Sequence, residues 1–272
     1  MGIRMLTINV NGYDIQAKYR EEDIKTVFMP FLQHVIQLQK ESGKRLIVFL
    51  AAPPATGKST LAIALCQFAR ELGCMDMQYA GMDGFHYTNA WLDNHFQDGK
   101  KLKELKGAPE TFDAEAMYAL IKETKGSDTW WPVYDRNLHE PLKHRLHITG
   151  SILLVEGNYL LLDEKPYRSL SALCDYCVFI QAEENLLRDR LIDRKSRGGL
   201  SKEQAEVFYE KSSVNGAFHL PYFVIDSRLF PCLRKRGNFL FRRRFGICRG
   251  QYRRAGRGVR RLLDPGRQLV QC

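Results

Sequence analysis

The sequence predicts an α/β fold, a parallel sheet with helices on both faces, and three observations carry that reading. Residues 45–51 hold an unbroken apolar run, Leu46-Ile47-Val48-Phe49-Leu50, as a strand covered on both faces requires. From Ser59, Leu61, Leu65, Phe68 and Leu72 recur at helical spacing, and Gly73 is placed to end that helix. Beyond them, strand and helix patterns alternate: strands over 77–82, 152–155 and 177–180, helices over 113–124 and 183–195. Alternation of this kind indicates a layered sheet with crossover helices.

The remaining elements follow in chain order. Leu6, Ile8 and Val10 alternate with polar residues and Asn11-Gly12 supplies a type I′ turn, so the chain opens with a β-hairpin that returns over 13–19. A helix comes next. Glu21, Glu22 and Asp23 suit its positive end, Ile24, Val27, Phe28, Phe31, Val35 and Leu38 form its apolar face, and Pro30 predicts a kink. Ser201 and Gln204 form a capping box that opens a last helix running to about Lys211. No internal repeat is evident. The organisation expected is an N-terminal hairpin and helix over 1–43, a main domain over 44–220 and a tail over 221–272.

Length and composition narrow the classes. A chain of 272 residues with 44% hydrophobic and 26% charged residues suits one sizeable domain with extensions. No apolar run approaches the roughly 20 residues of a membrane span, and no secretory leader is evident at the start, so a cytoplasmic protein is expected. Seven scattered cysteines fit no disulfide framework. Cys174 and Cys177 head an apolar strand, and no second pair stands at zinc-ligand spacing, so packing is their expected role.

The chemistry is concentrated at strand ends. Ala52-Pro53-Pro54-Ala55-Thr56-Gly57-Lys58-Ser59-Thr60 joins the first strand to its helix, where converging N–H groups and the helix dipole hold phosphate oxygens. This makes the sheet one of the P-loop nucleotide-binding type. Lys58 is expected on the β- and γ-phosphates of ATP and Ser59 on Mg²⁺. Ala52 stands where the pattern asks for its first glycine, and alanine tolerates fewer backbone angles. Met82-Asp83-Gly84-Phe85-His86 ends the second strand, at the sheet edge where ligands sit. Asp83 there is either a turn former or the base that takes a hydroxyl proton. Glu156, at the tip of Ile152-Leu153-Leu154-Val155, occupies the place of a carboxylate acting on Mg²⁺ or its water. Arg190, Arg194 and Arg197 share a helical face that ends at Gly198-Gly199, the layout of a lid that closes guanidiniums over a triphosphate. A solvated face paired with Asp189 and Asp193 would read the same way.

Together these residues carry a resemblance. The segments 52–60 and 82–86, Lys106-Gly107-Ala108-Pro109-Glu110-Thr111-Phe112-Asp113, Tyr134-Asp135-Arg136, and the run from Val155-Glu156-Gly157-Asn158 to Asp163 resemble, in order, the phosphoribulokinase, uridine kinase and pantothenate kinase family of P-loop kinases. The likeness looks closest to an uncharacterised, pantothenate-kinase-like bacterial branch and extends from the hairpin to about Asn215. It implies Asp83 as catalytic base, with Lys58 and Glu156 beside it, and His86, Lys106, Tyr134 and Arg136 around the acceptor. His86, Lys106 and the aromatics Trp130, Trp131 and Tyr134 read equally as structural residues, and Asp135 as a second site carboxylate or a partner of Arg136. The expected activity is transfer of phosphate from MgATP to a hydroxyl of a pantothenate-, nucleoside- or sugar-like metabolite. An acceptor-independent ATPase switch and an inactive kinase are the alternatives. The expected partners are the small-molecule acceptor and, as one option, a second copy in a homodimer.

The tail departs from this pattern. Residues 1–220 hold 27 Lys+Arg against 29 Asp+Glu, whereas residues 221–272 hold 14 against 2, so the net charge of +10 lies entirely in the tail. It shows neither strand alternation nor a helical face. A nucleic-acid-binding arm, a basic extension touching anionic membrane and a C-terminus produced by a shifted reading frame all fit. The abrupt change from lysine to arginine favours the last.

Overall fold

The computed structural model of the chain describes residues 2–10, 12–182, 184–197, 199–214, 240–242 and 246–247. Strands β1 (Ile3–Val10) and β2 (Tyr13–Arg20) pair antiparallel along their full length, and Asn11 of the expected turn lies outside the described residues. Ile8, Val10 and Ala17 turn inward from this hairpin. A continuous helical stretch follows: α1 (Glu21–Asp23), a π-helical turn Ile24–Phe28, and α2 (Met29–Ser42). At the place where a kink is expected of Pro30 the chain makes that π turn, in which the Met29 N–H bonds back to the Ile24 carbonyl. Proline has no N–H to continue the α-helical ladder, and the wider turn absorbs the missing bond.

The sheet is built around β3 (Leu46–Ala51). Beside it lie β9 (Ile152–Gly157) and β10 (Tyr176–Gln181), both parallel to it, and β4 (Met77–Gly81) lies parallel beyond β9. Every residue of β3 and of β9 is buried. Side chains alternate between two cores, as strand geometry demands. Leu46, Val48 and Leu50 face the hairpin, α2 and α3 (Lys58–Glu71), while Ile47, Phe49 and Ala51 face α5 (Ala114–Thr124) and the Trp131 ring. A stacked Phe28–Phe68 pair, met edge-on by Tyr19, ties the hairpin to α3.

Between β4 and α5 the chain runs through α4 (Asn89–Asp93) and a short ribbon of β5 (Phe96–Gln97) and β6 (Lys100–Lys101). After α5 comes an antiparallel hairpin, β7 (Thr129–Asp135) and β8 (Glu140–Ile148), that the sequence pattern did not reveal. Trp131 anchors it: the ring is fully buried and its Nε1–H donates to the Gly81 carbonyl at 3.0 Å. Trp130, by contrast, is 49% exposed and stacks on His147, so it is not core.

Two helices, α6 (Glu184–Arg197) and α7 (Lys202–Val214), follow β10. The expected capping box is present, with the Gln204 N–H donating to Ser201 Oγ and the Ser201 N–H to Gln204 Oε1. In the tail, β11 (Leu240–Arg242) runs parallel beside β10, and β12 (Gly246–Ile247) pairs antiparallel with it. This corrects the reading of a tail without strands. The apolar triplet Phe239-Leu240-Phe241, set among arginines, is too short to show alternation. Among the described residues, no helix is long and apolar enough to cross a membrane. Cys66, Cys74, Cys174 and Cys177 are buried free thiols, as packing residues should be.

Candidate active site

The site lies at the C-terminal edge of the parallel strands. Register fixes it there: Glu156 of β9 stands level with Leu50 of β3 on one side and Gly81 of β4 on the other. The phosphate loop leaving β3 and the Asp83 turn leaving β4 therefore flank one central carboxylate.

The loop from Ala52 to Gly57 is held by its own backbone. The Thr56 hydroxyl donates to the Pro53 carbonyl at 2.9 Å, and the Ala52 N–H reaches the Gly157 carbonyl at 3.3 Å. The left-handed positions are Ala55 (φ 63°) and Gly57 (φ 89°), and Ala52 is not among the residues with positive φ. The concern raised by Ala52 thus moves three residues on. Ala52 takes ordinary angles in full burial, and Ala55 carries the strain, of about 1–2 kcal/mol for a residue with a Cβ. Pro53, Pro54 and Thr60 occupy the expected places in the loop and the first turn of α3, where Thr60 offers its carbonyl to the Tyr19 hydroxyl.

Ser59 Oγ donates to Glu156 Oε1 at 2.8 Å, and Lys58 Nζ stands 3.9 Å from Glu156 Oε2. Burial pushes the Glu156 carboxyl above its usual range. Lys58 opposes that push, Asp83 adds to it, and the Ser59 hydroxyl and Arg136 oppose it. Asp83 and Arg136 therefore share the field of Glu156. A Cβ on Gly81 would come within 3.2 Å of Glu156 Oε1, a tight contact that would press on the carboxylate.

Asp83 sits in a 3₁₀ turn, Met82–Phe85, followed by His86. The turn-forming role offered for Asp83-Gly84 is present, with the His86 N–H donating to the Asp83 carbonyl at 3.2 Å, and Gly84 has a second role beside it. A Cβ on Gly84 would stand 2.0 Å from the Pro132 carbonyl oxygen, so the glycine lets β7 lie directly against the Asp83 turn. His86 stacks on Phe112 with centroids 3.8 Å apart, bonds through Nδ1 to the Thr111 carbonyl, and lies 5.3 Å from the Tyr134 ring. Burial lowers its pKa more than Asp83 raises it, which favours a neutral ring. The Tyr134 hydroxyl is pushed up to about 12, first by burial and then by Asp83 and Glu140.

Lys106 Nζ lies 5.2 Å from the Tyr134 ring centroid and donates to Asn89 Oδ1 (2.6 Å) and the His139 carbonyl (2.7 Å). Burial lowers its pKa too. Asp135 forms no ion pair with Arg136 among the described residues. Its Oδ1 accepts the Asn137 and Leu138 N–H groups at 2.8 and 3.0 Å and so clamps the β7–β8 turn. Two residues escaped the sequence reading, Asn89 and Glu140. The Asn89 N–H donates to Glu140 Oε1 at 2.9 Å, a contact between segments 51 residues apart that no local pattern encodes.

Buried polar atoms without partners cluster here. Of the six among the described residues, four belong to Arg136 (Nε), Glu140 (Oε2), Glu156 (Oε2) and Asn158 (Oδ1). Folded proteins leave few such atoms unsatisfied, so these four have capacity for water, an ion or a bound group. On the side of α6 and α7, Arg190 Nη1 donates to the Thr56 carbonyl at 3.4 Å, and Ala55 packs on a small core of Leu191, Ile192, Ala205 and Tyr209. The Arg194 and Arg197 side chains lie outside the described residues.

Comparisons with known proteins agree with this architecture. The sequence model of the Phosphoribulokinase / Uridine kinase family matches residues 47–210. "Uncharacterized protein YggC" of Escherichia coli (strain K12) is 43% identical over 211 residues, covering 76% of this chain and 86% of its own. A "Pantothenate kinase" of Ligilactobacillus salivarius is 27% identical over 195 residues, covering 64% and 62% respectively. The solved structure of YFH7 from Saccharomyces cerevisiae superposes with a TM-score of 0.61 over 70% of this chain and 94% of that one, and at 17% identity the likeness is one of fold.

Proposed function

The chain belongs to the Phosphoribulokinase / Uridine kinase family, and from that premise we propose that it transfers the γ-phosphate of ATP to a hydroxyl of a small molecule. One observation carries the reading. Glu156 stands in register between the strand that delivers the phosphate loop and the strand that delivers Asp83, so donor and acceptor machinery meet across a single carboxylate.

In this mechanism the loop N–H groups and the α3 N-terminus hold the phosphates, and Lys58 reaches the β/γ-phosphates. Arg190, already on the loop at Thr56, adds positive charge from the lid side. The Asp83 carboxylate orients the acceptor hydroxyl and accepts its proton as that oxygen bonds to the γ-phosphorus. The bond to the β-phosphate oxygen breaks and ADP leaves. Neutral His86 and the protonated Tyr134 hydroxyl line the acceptor side.

The residues present fit Mg²⁺. The Ser59 hydroxyl and Glu156 carboxylate lie 2.8 Å apart and Glu156 Oε2 lacks a hydrogen-bond partner, a donor set of one hydroxyl and one carboxylate that suits an ion completing its shell with water and phosphate. When bound, Mg²⁺ neutralises charge on the transferring phosphate.

The test is phosphate transfer from MgATP to a panel of pantothenate, nucleosides, sugars and sugar acids, with Asp83→Asn as control. Acceptor-dependent ADP release that disappears in the variant supports the reading. ATP hydrolysis that no acceptor accelerates sinks it in favour of a switch.

A further inference from the structure

The wall around Asp83 constrains which hydroxyl compound it serves. A planar base is commonly held by stacking on an open ring face, and the His86 and Phe112 faces here are turned to each other. Phe112 lies under His86 at 3.8 Å and 24° and meets Tyr159 edge-on, while Tyr134 is crowded by His86 and by Lys106 Nζ. Recognition is left to polar groups.

Those groups carry unspent capacity. Among the described residues neither Lys106 nor Arg136 has a carboxylate within 4.0 Å. Lys106 gives two of its three ammonium hydrogens to neutral oxygens, of Asn89 and His139, and its partly buried charge is met only by the Tyr134 ring and, beyond ion-pair distance, by Glu140. Arg136 Nε is buried with no partner. Glu140 has one oxygen fixed by the Asn89 N–H and the other, Oε2, buried with no donor. Asn89 holds both charges at once, Glu140 through its backbone and Lys106 through its side chain, so a cation and an acceptor oxygen are presented at a fixed spacing.

We propose that the acceptor is a small polyhydroxy compound bearing one anionic group, which pairs with Lys106 and Arg136, while one hydroxyl donates to Glu140 and another stands at Asp83. Glu140 and Asn89 are thereby specificity determinants, Asn89 as a positioning residue. The inference rests on the kinase reading above and narrows it. A carboxylate and a phosphate ester are the two sources of such an anion.

The experiment measures kcat/KM of the full chain with MgATP on matched pairs: glycerate against glycerol, gluconate against glucose, and ribose 5-phosphate against ribose, with uridine as the neutral ring-bearing compound. In at least one pair the anionic member should exceed its neutral partner by about 100-fold, the span of one or two charge-assisted hydrogen bonds. Which pair responds distinguishes carboxylate from phosphate. Lys106→Met and Arg136→Met should each collapse that ratio by about tenfold or more, and Glu140→Gln should raise acceptor KM about tenfold with the KM for ATP unmoved. Equal use of both members of every pair, or a preference for uridine, overturns the proposal even if no variant folds. In that event Asp83-dependent transfer leaves the kinase reading standing, whereas no transfer to any compound removes both.

Discussion

The two halves of the site are made differently. The proposed nucleotide half is one contiguous strand, loop and helix from Leu46 to Glu71, closed from a distance by Glu156 and Arg190. The proposed acceptor half is gathered from the Asp83 turn, Asn89, Lys106, Phe112 and the β7–β8 hairpin, whose contacts span 17 to 51 residues. A local structure can be specified by spacing and backbone angles. A gathered one depends on close approach between segments, and its chemistry should be easier to alter without touching nucleotide binding.

The largest expected effect divides the halves directly. Asp83→Asn should lower transfer by about 10³-fold, within the usual range for a general base, while thermal stabilisation by MgATP is retained. Lys58→Met should abolish that stabilisation, measured as the ligand-induced rise in Tm, and transfer with it. If both substitutions remove nucleotide binding, the halves are not separable.

Gly84→Ala tests the close approach. Its new Cβ would lie 2.0 Å from a backbone oxygen of β7, so the hairpin must move, at a cost of about 3 kcal/mol read from the urea midpoint. Acceptor turnover should suffer more than nucleotide affinity.

Smaller effects sharpen the contrast. His86 has a folded pKa held below its unfolded value by burial, so as pH falls through about 6.5 the unfolded chain takes the proton first and stability drops. His86→Asn should flatten the loss of denaturation midpoint between pH 7.5 and 5.5; an unchanged slope would mean the ring titrates freely. Ala55→Gly removes left-handed strain and adds chain entropy in the unfolded state, for a net gain of about 0.5 kcal/mol by denaturant titration. A loss there would show that the methyl contact with Leu191, Ile192, Ala205 and Tyr209 outweighs the strain.

The same division governs what could be read from the sequence. The β3 run, the helix after it, Ser59, Lys58 and the Glu156 strand tip follow from local rules, and the structure places them within a residue or two of expectation. The β7–β8 hairpin was not legible, because Pro132 interrupts β7, the register shifts between Trp131 and Val133, and His144 adopts a positive φ, so strand alternation is broken. Asn89 and Glu140 belong to no motif. Only the folded chain shows that one holds the other. Gly84 is half of a turn, as its sequence suggests, but nothing in the sequence states that a carbonyl 48 residues away presses against it.

The central place of β3 bears on how the protein is made. Its neighbours β9 and β10 begin 106 and 130 residues after it in the chain, counting from Leu46 to Ile152 and Tyr176. During synthesis the phosphate loop thus emerges long before either flank exists, leaving a wholly apolar strand with both hydrogen-bonding edges bare. A nascent chain that stops short of Glu156 carries the nucleotide motif without its closing carboxylate. For that interval, what the loop's strand needs from the cell is shelter rather than substrate.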